Sequence, residues 1–564
     1  EVAKEMLAGG DVHERLKEVF RNQPGGLARV EVEYHGLTVE TDGKMGSSSN
    51  PTVWNSFKAS MMPFGFFKQD DSVKVKILDG VSGVLKPGRL TLVLGPPGSG
   101  KSVLLQTLSG RMRKGRRLRI DGSIKYNGEG IDEFVVQRTA GYVDQYDRHI
   151  PNLTVLETTQ FAAKCQIPNE NVVHLLAGIK EQMHALHGKR KSSKNGMDEA
   201  LAELGQLEDA NDEQAFLELL EKAVLSGAKP FIILNILGLG NVLDTFVGDE
   251  NLRGVSGGEK KRVTSAEVMV GPQWAIFMDE ISTGLDSATT YSVVQSLRNA
   301  CHSFERTIAI SLLQPAPEVM ELFDDLLLLT DGKVIFHGPV RRALPFFASL
   351  GFDCPTRKDP GSFLQEVTSP IGQRLYASAA LLKKHGLSEE DRAFEKLVAD
   401  PPTGLLVSVD EMRRLFWETE EGKEIMLQLE EHPYDKAKGN PHSLARTPYA
   451  RRGSLLSWYA FERQMLLIKR DKAYYIARCI QAIVMGLIVS SFFASVAPPP
   501  VPTTPEEAQS EEYLQAVYAQ GRKVLSLCVL SIIYLSMSSM PVIGFVFNTK
   551  NVFYKHRENK FFPP

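Results

Sequence analysis

The sequence is 564 residues long with a formal charge of −3 at neutral pH, long enough for several domains. A charge so near balance argues against a nucleic-acid partner, which needs a basic face. The five cysteines (Cys165, Cys301, Cys354, Cys479, Cys528) are scattered with no Cys-x-x-Cys pair, which signals neither a zinc site nor a disulfide framework and suits a reducing compartment for the bulk of the chain. No secretory signal stands near the start. Because position 1 is Glu1 rather than Met, the true N-terminus is expected to lie upstream.

Residues 1–29 are polar and read as helical in part. Val30, Val32 and Tyr34 alternate with Arg29, Glu31 and Glu33, the pattern of a half-buried strand. Thr41 to Pro51 is rich in Gly and Ser and reads as a connector. Val73 to Leu94 supplies strands, with Lys86-Pro87-Gly88 as a turn. Gly95-Pro96-Pro97-Gly98-Ser99-Gly100-Lys101-Ser102 then fits the pattern G-x-x-x-x-G-K-[ST]. It sits between an apolar strand, Leu90–Leu94, and a helix start at Val103. Its glycines let backbone N–H groups turn inward as an anion nest at a helix N-terminus. Lys101 can reach the β- and γ-phosphates of a nucleotide, and the Ser102 hydroxyl can take a place on Mg²⁺. The plain alternative is a Gly-rich turn with a chance lysine, which the strand–loop–helix context disfavours.

Gly141 to Gln145 closes another short strand and places Gln145 to reach the metal and the γ-phosphate; alone, it reads as a surface glutamine. From Thr154 to Gly248 the pattern turns helical, interrupted by a charged loop at Gly188–Asn195. In Arg253 to Arg262, Ser256-Gly257-Gly258 precedes a helix, a second anion-binding N-terminus. One chain needs only one phosphate cradle, so the second suggests that two such domains share nucleotides. Ala275 to Met278 reads as a buried strand ending in Asp279-Glu280. An aspartate there can hold Mg²⁺ through water, and the adjacent glutamate can orient an attacking water.

In this order and spacing the motifs resemble the nucleotide-binding domain of an ABC transporter. The resemblance implies a Walker A cradle from Gly95 to Ser102 with Val103, a Q-loop glutamine at Gln145 that also meets Mg²⁺, and a Walker B strand ending at Asp279. It implies a catalytic Glu280, a D-loop at Gly284-Leu285-Asp286, and a signature, Val255-Ser256-Gly257-Gly258-Glu259, that serves a partner's ATP. Gly254 to Arg262, Asp279 to Ser287 and Ser311 to Pro315 resemble the G subfamily and its pleiotropic drug resistance group. An adenine-stacking aromatic is implied ahead of the cradle; Phe66 and Phe67 are the nearest, with a core or loop role equally open. One departure matters. The family's switch histidine precedes Gln-Pro after the next strand, and here Leu313 stands in its place. Leucine cannot donate a hydrogen bond to a γ-phosphate. His302 lies too early and His337 too late to replace it. First domains of two-domain transporters in the group are similar, and their second domain keeps the histidine.

Residues 353–450 read as a polar, charge-rich connector with helical stretches, in which Asp359 to Leu364 packs back on the domain. Leu455 to Lys469 has the make-up of an amphipathic helix at a membrane surface. Cys479 to Ala497 and Val524 to Phe547 are apolar and near the length that spans a bilayer. Lys469, Arg470, Lys472 and Arg478 before the first span, and Lys550, Lys555, Arg557 and Lys560 after the second, place both outer flanks in the cytoplasm; the loop Pro498 to Lys523, with four glutamates, falls outside.

The expected fold is α/β: a P-loop ABC-type nucleotide-binding domain with a helical subdomain, followed by α-helical transmembrane segments. The expected division is a polar segment with the leading strand over 1–52, the nucleotide-binding domain over 53–352, the connector over 353–452 and the start of the transmembrane domain over 453–564. The last holds the amphipathic helix 454–470 and spans at about 474–497 and 524–547. With ATP and Mg²⁺ as cofactors, the expected function is ATP-driven transport, with export of hydrophobic compounds or lipids implied by the resemblance alone. The expected partners are a second nucleotide-binding domain and further transmembrane helices, in a longer chain or a dimer, together with membrane lipid. The nucleotide-binding domain is expected in the cytoplasm, at the plasma membrane. The alternatives are a soluble ABC ATPase that moves no solute, and a regulatory domain that binds ATP with little turnover.

Overall fold

The computed structural model describes residues 29–44, 72–112, 118–167, 229–250, 252–387, 404–430, 434, 443–493, 501–502, 504–505 and 509–563. Phe66, Phe67, the charged loop 188–195 and the polar segment before residue 29 lie outside these.

Among the described residues, two sheets form the domain. β1 (Val32–Lys44) pairs antiparallel with β2 (Ser72–Leu85) and with β4 (Leu118–Tyr126), which carries the short β5 (Glu129–Gly130). The leading strand, read as part of a segment before the domain, is therefore built into its antiparallel sheet, and the connector expected from Thr41 is still strand as far as Lys44. The second sheet has six strands in the order β10-β9-β3-β8-β7-β6. These are β3 (Leu90–Leu94), β6 (Ala140–Val143), β7 (Ala275–Met278), β8 (Thr307–Ser311), β9 (Asp325–Thr330) and β10 (Lys333–Pro339). All but the edge strand β10 run parallel. β3, β7 and β8 are buried along their whole length, which is why they read as continuous apolar runs instead of alternating ones.

The register fixes where chemistry can occur. Val93 lies opposite Ser311, Met278 opposite Ile310, and Val143 opposite Met278. The residues that follow, Gly95, Asp144, Asp279 and Leu312, therefore emerge together at the carboxyl edge of the parallel strands, where open α/β sheets bind ligands.

Helices of eight residues or more are numbered in chain order: α1 (Lys101–Leu108), α2 (Val155–Gln166), α3 (Lys229–Ile236), α4 (Gly257–Met269), α5 (Ser287–Phe304), α6 (Val340–Ser349), α7 (Val409–Glu418), α8 (Glu420–Glu430), α9 (Gly453–Arg470), α10 (Lys472–Phe493) and α11 (Glu511–Glu558). The stretch read as a connector is largely packed onto the domain. Phe416 of α7 is fully buried against Phe336 of β10 and Phe346 of α6, with ring centroids 5.8 and 6.2 Å away. Arg413 donates to the Gly80 carbonyl at 2.7 Å. The high charge reflects one solvated face of amphipathic helices whose apolar stripe covers the sheet.

After the domain, α9 packs against α2 and meets the following helix at 76°. The segment Glu511–Tyr534 of α11 is apolar and long enough to cross a membrane; α9 with Tyr475–Ser491 passes the same test only as a bent pair. α11 has 48 residues, about 72 Å of helix, against about 30 Å of hydrocarbon. The loop expected to run to Lys523 is helical from Glu511. Ser510 caps that start, accepting from the Tyr513 N–H at 3.3 Å. Glu511 and Glu512 lie in its first turn and Lys555, His556 and Arg557 in its last, an order that suits the helix dipole. The charges that ended the apolar span did not end the helix.

Candidate nucleotide-binding site

The cradle forms where β3 gives way to α1. Gly98 and Gly100 take φ of +80° and +96°, left-handed values open to glycine at little cost. A Cβ on Gly100 would stand 2.9 Å from the Ile77 carbonyl oxygen, whereas one on Gly98 would meet nothing within 4 Å. The loop is thus pressed against β2 on one side and open on the other. Gly100 is the N-cap of α1, with no side-chain cap and no acidic residue in the first turn, so the helix presents free N–H groups and positive potential. Lys101 is buried and folds back, donating to the carbonyls of Gly95 at 2.8 Å and Pro96 at 3.0 Å. Burial lowers its pKa, and the charges of Glu280 and Asp279 oppose that. The Ser99 hydroxyl is buried without a partner.

Across the loop, Asp279 is held at both carboxylate oxygens. Ser311 donates to Oδ1 at 2.7 Å and Tyr142 to Oδ2 at 3.2 Å. Gln106 of α1 donates to the Tyr142 oxygen at 3.1 Å. Burial and the Asp279 charge push the Tyr142 phenol up, so it keeps its proton and donates. Glu280 has φ of +46°, uncommon for a residue with a Cβ. Its N–H donates to the Ser311 hydroxyl at 2.9 Å, and its carboxylate accepts from Gln145 at 2.7 Å. Lys261 of α4 donates to the Gln145 carbonyl at 2.6 Å.

Ser256 and Gly257 are exposed. Ser256 caps α4 in a reciprocal box with Glu259: its N–H donates to the Glu259 carboxylate at 2.8 Å, and the Glu259 N–H donates to its hydroxyl at 3.3 Å. Gly258 is buried, where a Cβ would stand 2.3 Å from Thr289 Cγ2 of α5. Asp286 caps α5 from an exposed position. Ser256, Gly257 and Asp286 are thus all exposed, while the cradle, Gln145, Asp279 and Glu280 converge at the carboxyl edge of the parallel strands. Leu313 is exposed just beyond β8, and its carbonyl accepts from Gln365 at 2.6 Å. His302 pairs with Asp324 at 2.9 Å, beside the start of β3 and so at the opposite edge of the sheet. His337 is buried under Gly83, where a Cβ would come within 2.7 Å of its Nδ1.

Sequence reasoning missed Tyr142, Ser311, Lys261 and Gln106. A signal was present for two of them. Tyr142 and Ser311 carry hydroxyls on largely apolar strands, and polar groups buried in a sheet need partners.

Among the described residues, no group of three His, Cys, Asp or Glu could hold a metal alone. Ser102, Asp279 and Gln145 offer only oxygen donors from hydroxyl, carboxylate and carboxamide. A hard cation that completes its shell with phosphate and water fits such a set.

A family profile described as ABC transporter matches residues 78–283, and two described as ABC-2 type transporter match 456–564 and 313–381. The chain is 39% identical over 470 residues to ABC transporter G family member 36 of Oryza sativa subsp. japonica, covering 83% of this chain and 29% of that one. It is 35% identical over 561 residues to ABC transporter G family member 31 of Arabidopsis thaliana, covering 98% and 35%. It is 35% identical over 553 residues to Pleiotropic drug resistance protein 1 of Petunia hybrida, covering 98% and 34%. A solved ATP-binding cassette of an ABC transporter in its ADP conformation aligns at 18% identity with a TM-score of 0.32, over 55% of this chain and 95% of that one. The chain thus carries the nucleotide-binding domain of an ABC transporter joined to a membrane domain of the ABC-2 type, and it is a membrane protein. It is homologous to members of the ABC transporter G family over most of its length. It spans about a third of the length of these relatives.

Proposed function

We propose that the chain is the ATP-binding and ATP-hydrolysing part of an exporter of hydrophobic compounds or lipids. The observation that carries the reading is the convergence of the Gly95–Ser102 cradle, Gln145, Asp279 and Glu280 at one sheet edge, in a chain that continues into apolar helices. The N–H groups at the start of α1 receive phosphate oxygens, and Val103 completes that first turn. Lys101 leaves the Gly95 and Pro96 carbonyls for the β- and γ-phosphates. Ser102, Asp279 and Gln145 would hold Mg²⁺, which supplies charge neutralisation between the phosphates when bound. Glu280 orients water for attack on the γ-phosphate. Val255 to Glu259, with Asp286 beside them, face the nucleotide of a second nucleotide-binding domain, in the same longer chain or a dimer partner. Petunia's relative carries drug resistance in its name, and hydrophobic cargo is taken from that likeness. The domain lies on the cytoplasmic side, and the plasma membrane is the membrane proposed.

The test is fractionation of the expressed full-length protein, followed by ATP hydrolysis and uptake of a hydrophobic fluorophore into inverted vesicles. ATP-dependent uptake from the membrane fraction is expected. A protein that stays soluble and hydrolyses ATP would instead be an ABC ATPase without transport, and binding without turnover would make this domain regulatory.

A further inference from the structure

We propose that Ser311 is a positioning residue of the nucleotide site, binding Asp279 and Glu280 into one unit where position 313 supplies no polar side chain. The inference rests on the reading above, in which Asp279 serves Mg²⁺ and Glu280 serves the attacking water.

A hydroxyl has one proton to give and lone pairs to accept with. Ser311 uses both kinds on adjacent residues of the same motif. It donates to Asp279 Oδ1 at 2.7 Å and accepts from the Glu280 N–H at 2.9 Å. It is fully buried, so water does not compete for either bond. The strap acts where the backbone is least content by itself, since Glu280 sits at φ of +46°, a conformation that persists only when its surroundings over-determine it. From the other side Gln145 tethers the Glu280 carboxylate at 2.7 Å. The two ties act on different atoms: Ser311 sets where the Glu280 backbone leaves β7, and Gln145 sets where its carboxylate rests. Tyr142 completes the frame on Asp279 Oδ2 at 3.2 Å. Leu313 takes no part, being exposed with only its carbonyl engaged. The orientation of both acidic groups therefore comes from β8 itself, two residues before the switch position.

Groups that hold a metal-binding carboxylate affect metal affinity about 10–100-fold. Ser311→Ala should therefore raise the Mg²⁺ concentration for half-maximal nucleotide binding about tenfold or more, with metal-free binding unchanged, since Lys101 and the cradle are untouched. Photolabelling of the full-length transporter with 8-azido-ATP across a Mg²⁺ titration, the label mapped to this domain, reads the effect at this site and not at its partner. Ser311→Thr, which keeps the hydroxyl, should restore the parent's Mg²⁺ dependence. Tyr142→Phe, which removes the longer bond and leaves the Glu280 tie, should give a smaller rise. A parent-like Mg²⁺ dependence in Ser311→Ala overturns the proposal. So does an equal loss of metal-free labelling and thermal stability, which would make Ser311 a packing residue only. If instead Lys101→Ala labels as strongly as the parent, the reading of the cradle fails and not the strap.

Discussion

Lys101 holds the loop's own carbonyls and has carboxylates nearby on the far side of the site. Its burial makes the ammonium costly to hold without acceptors, and phosphate oxygens would be stronger acceptors than the two carbonyls. Lys101→Ala should weaken ATP binding at this domain about 10–100-fold, the range of a charge-assisted hydrogen bond; nucleotide titration with label mapped to the domain measures it. Unchanged affinity would remove the cradle's assignment. The lysine was legible in the sequence because its spacing from the glycines is a local property. Ser311 was not. Its partners are 31 and 32 positions away in sequence, and only the pairing of β7 with β8 brings them together. The place of Leu313 was readable, but the contacts that β8 makes to Asp279 and Glu280 through Ser311 depended on register.

The α4 and α11 helices meet at Glu267. This carboxylate is fully buried among Lys555 and His556 of α11 and His149. Desolvation works against its charge, but Lys555 and His556 outweigh that and hold its pKa well below the usual carboxylate range. Arg463 of α9 lies 4.0 Å from the centre of the Phe161 ring of α2, and Arg470 pairs with Glu157 on the same helix. The end of the apolar helix is therefore clamped to the helix that Ser256 caps. Glu267→Ala should destabilise this junction by about 3–5 kcal/mol, because it leaves the Lys555 ammonium without its buried carboxylate. Acid should loosen it too. His556 is pushed down to about 4, chiefly by burial, and His149 is lowered likewise. The unfolded junction thus binds protons that the folded one refuses, and stability falls with pH from about 6.5 toward 4. Hydrogen exchange of the last turns of α11 across that window checks both; flat protection from pH 7 to 4 would deny the histidines this role. None of this clamp was visible in the sequence. Lys555 read as a topology signal and Glu267 drew no reading, since a buried ion pair and a solvated one look alike before the fold is known. In residues 353–430 helical stretches were legible, as was the packing of Asp359 to Leu364, but the docking of α7 was hidden for a related reason: its charges describe the outer face, while Phe416 decides the packing.

In a transporter with two shared ATP sites, the centre built on this domain's own cradle and the site served by its Ser256 are different sites. Leu313 removes a γ-phosphate donor from the first. Loss of one such transition-state contact costs on the order of a hundredfold or more in rate, and Ser311 does not replace it, because its hydroxyl is committed to Asp279 and Glu280. The first site is therefore expected to be slow without being dead, since Glu280 is present and tethered. In the proposed arrangement the second site would draw on Ser256 and Gly257, which are exposed in this chain, and on a cradle from the partner domain. Ser256→Arg places a bulky cation at the cap of α4, removes the hydroxyl that the Glu259 N–H uses, and blocks that face. Glu280→Gln keeps the shape of its site and removes only the charge that orients water. Turnover of the whole transporter should therefore fall much further in Ser256→Arg than in Glu280→Gln when both are assayed for ATPase activity in membranes at equal expression. If Glu280→Gln abolishes turnover while Ser256→Arg leaves most of it, the fast and slow sites are reversed, and the consequence drawn from Leu313 is wrong.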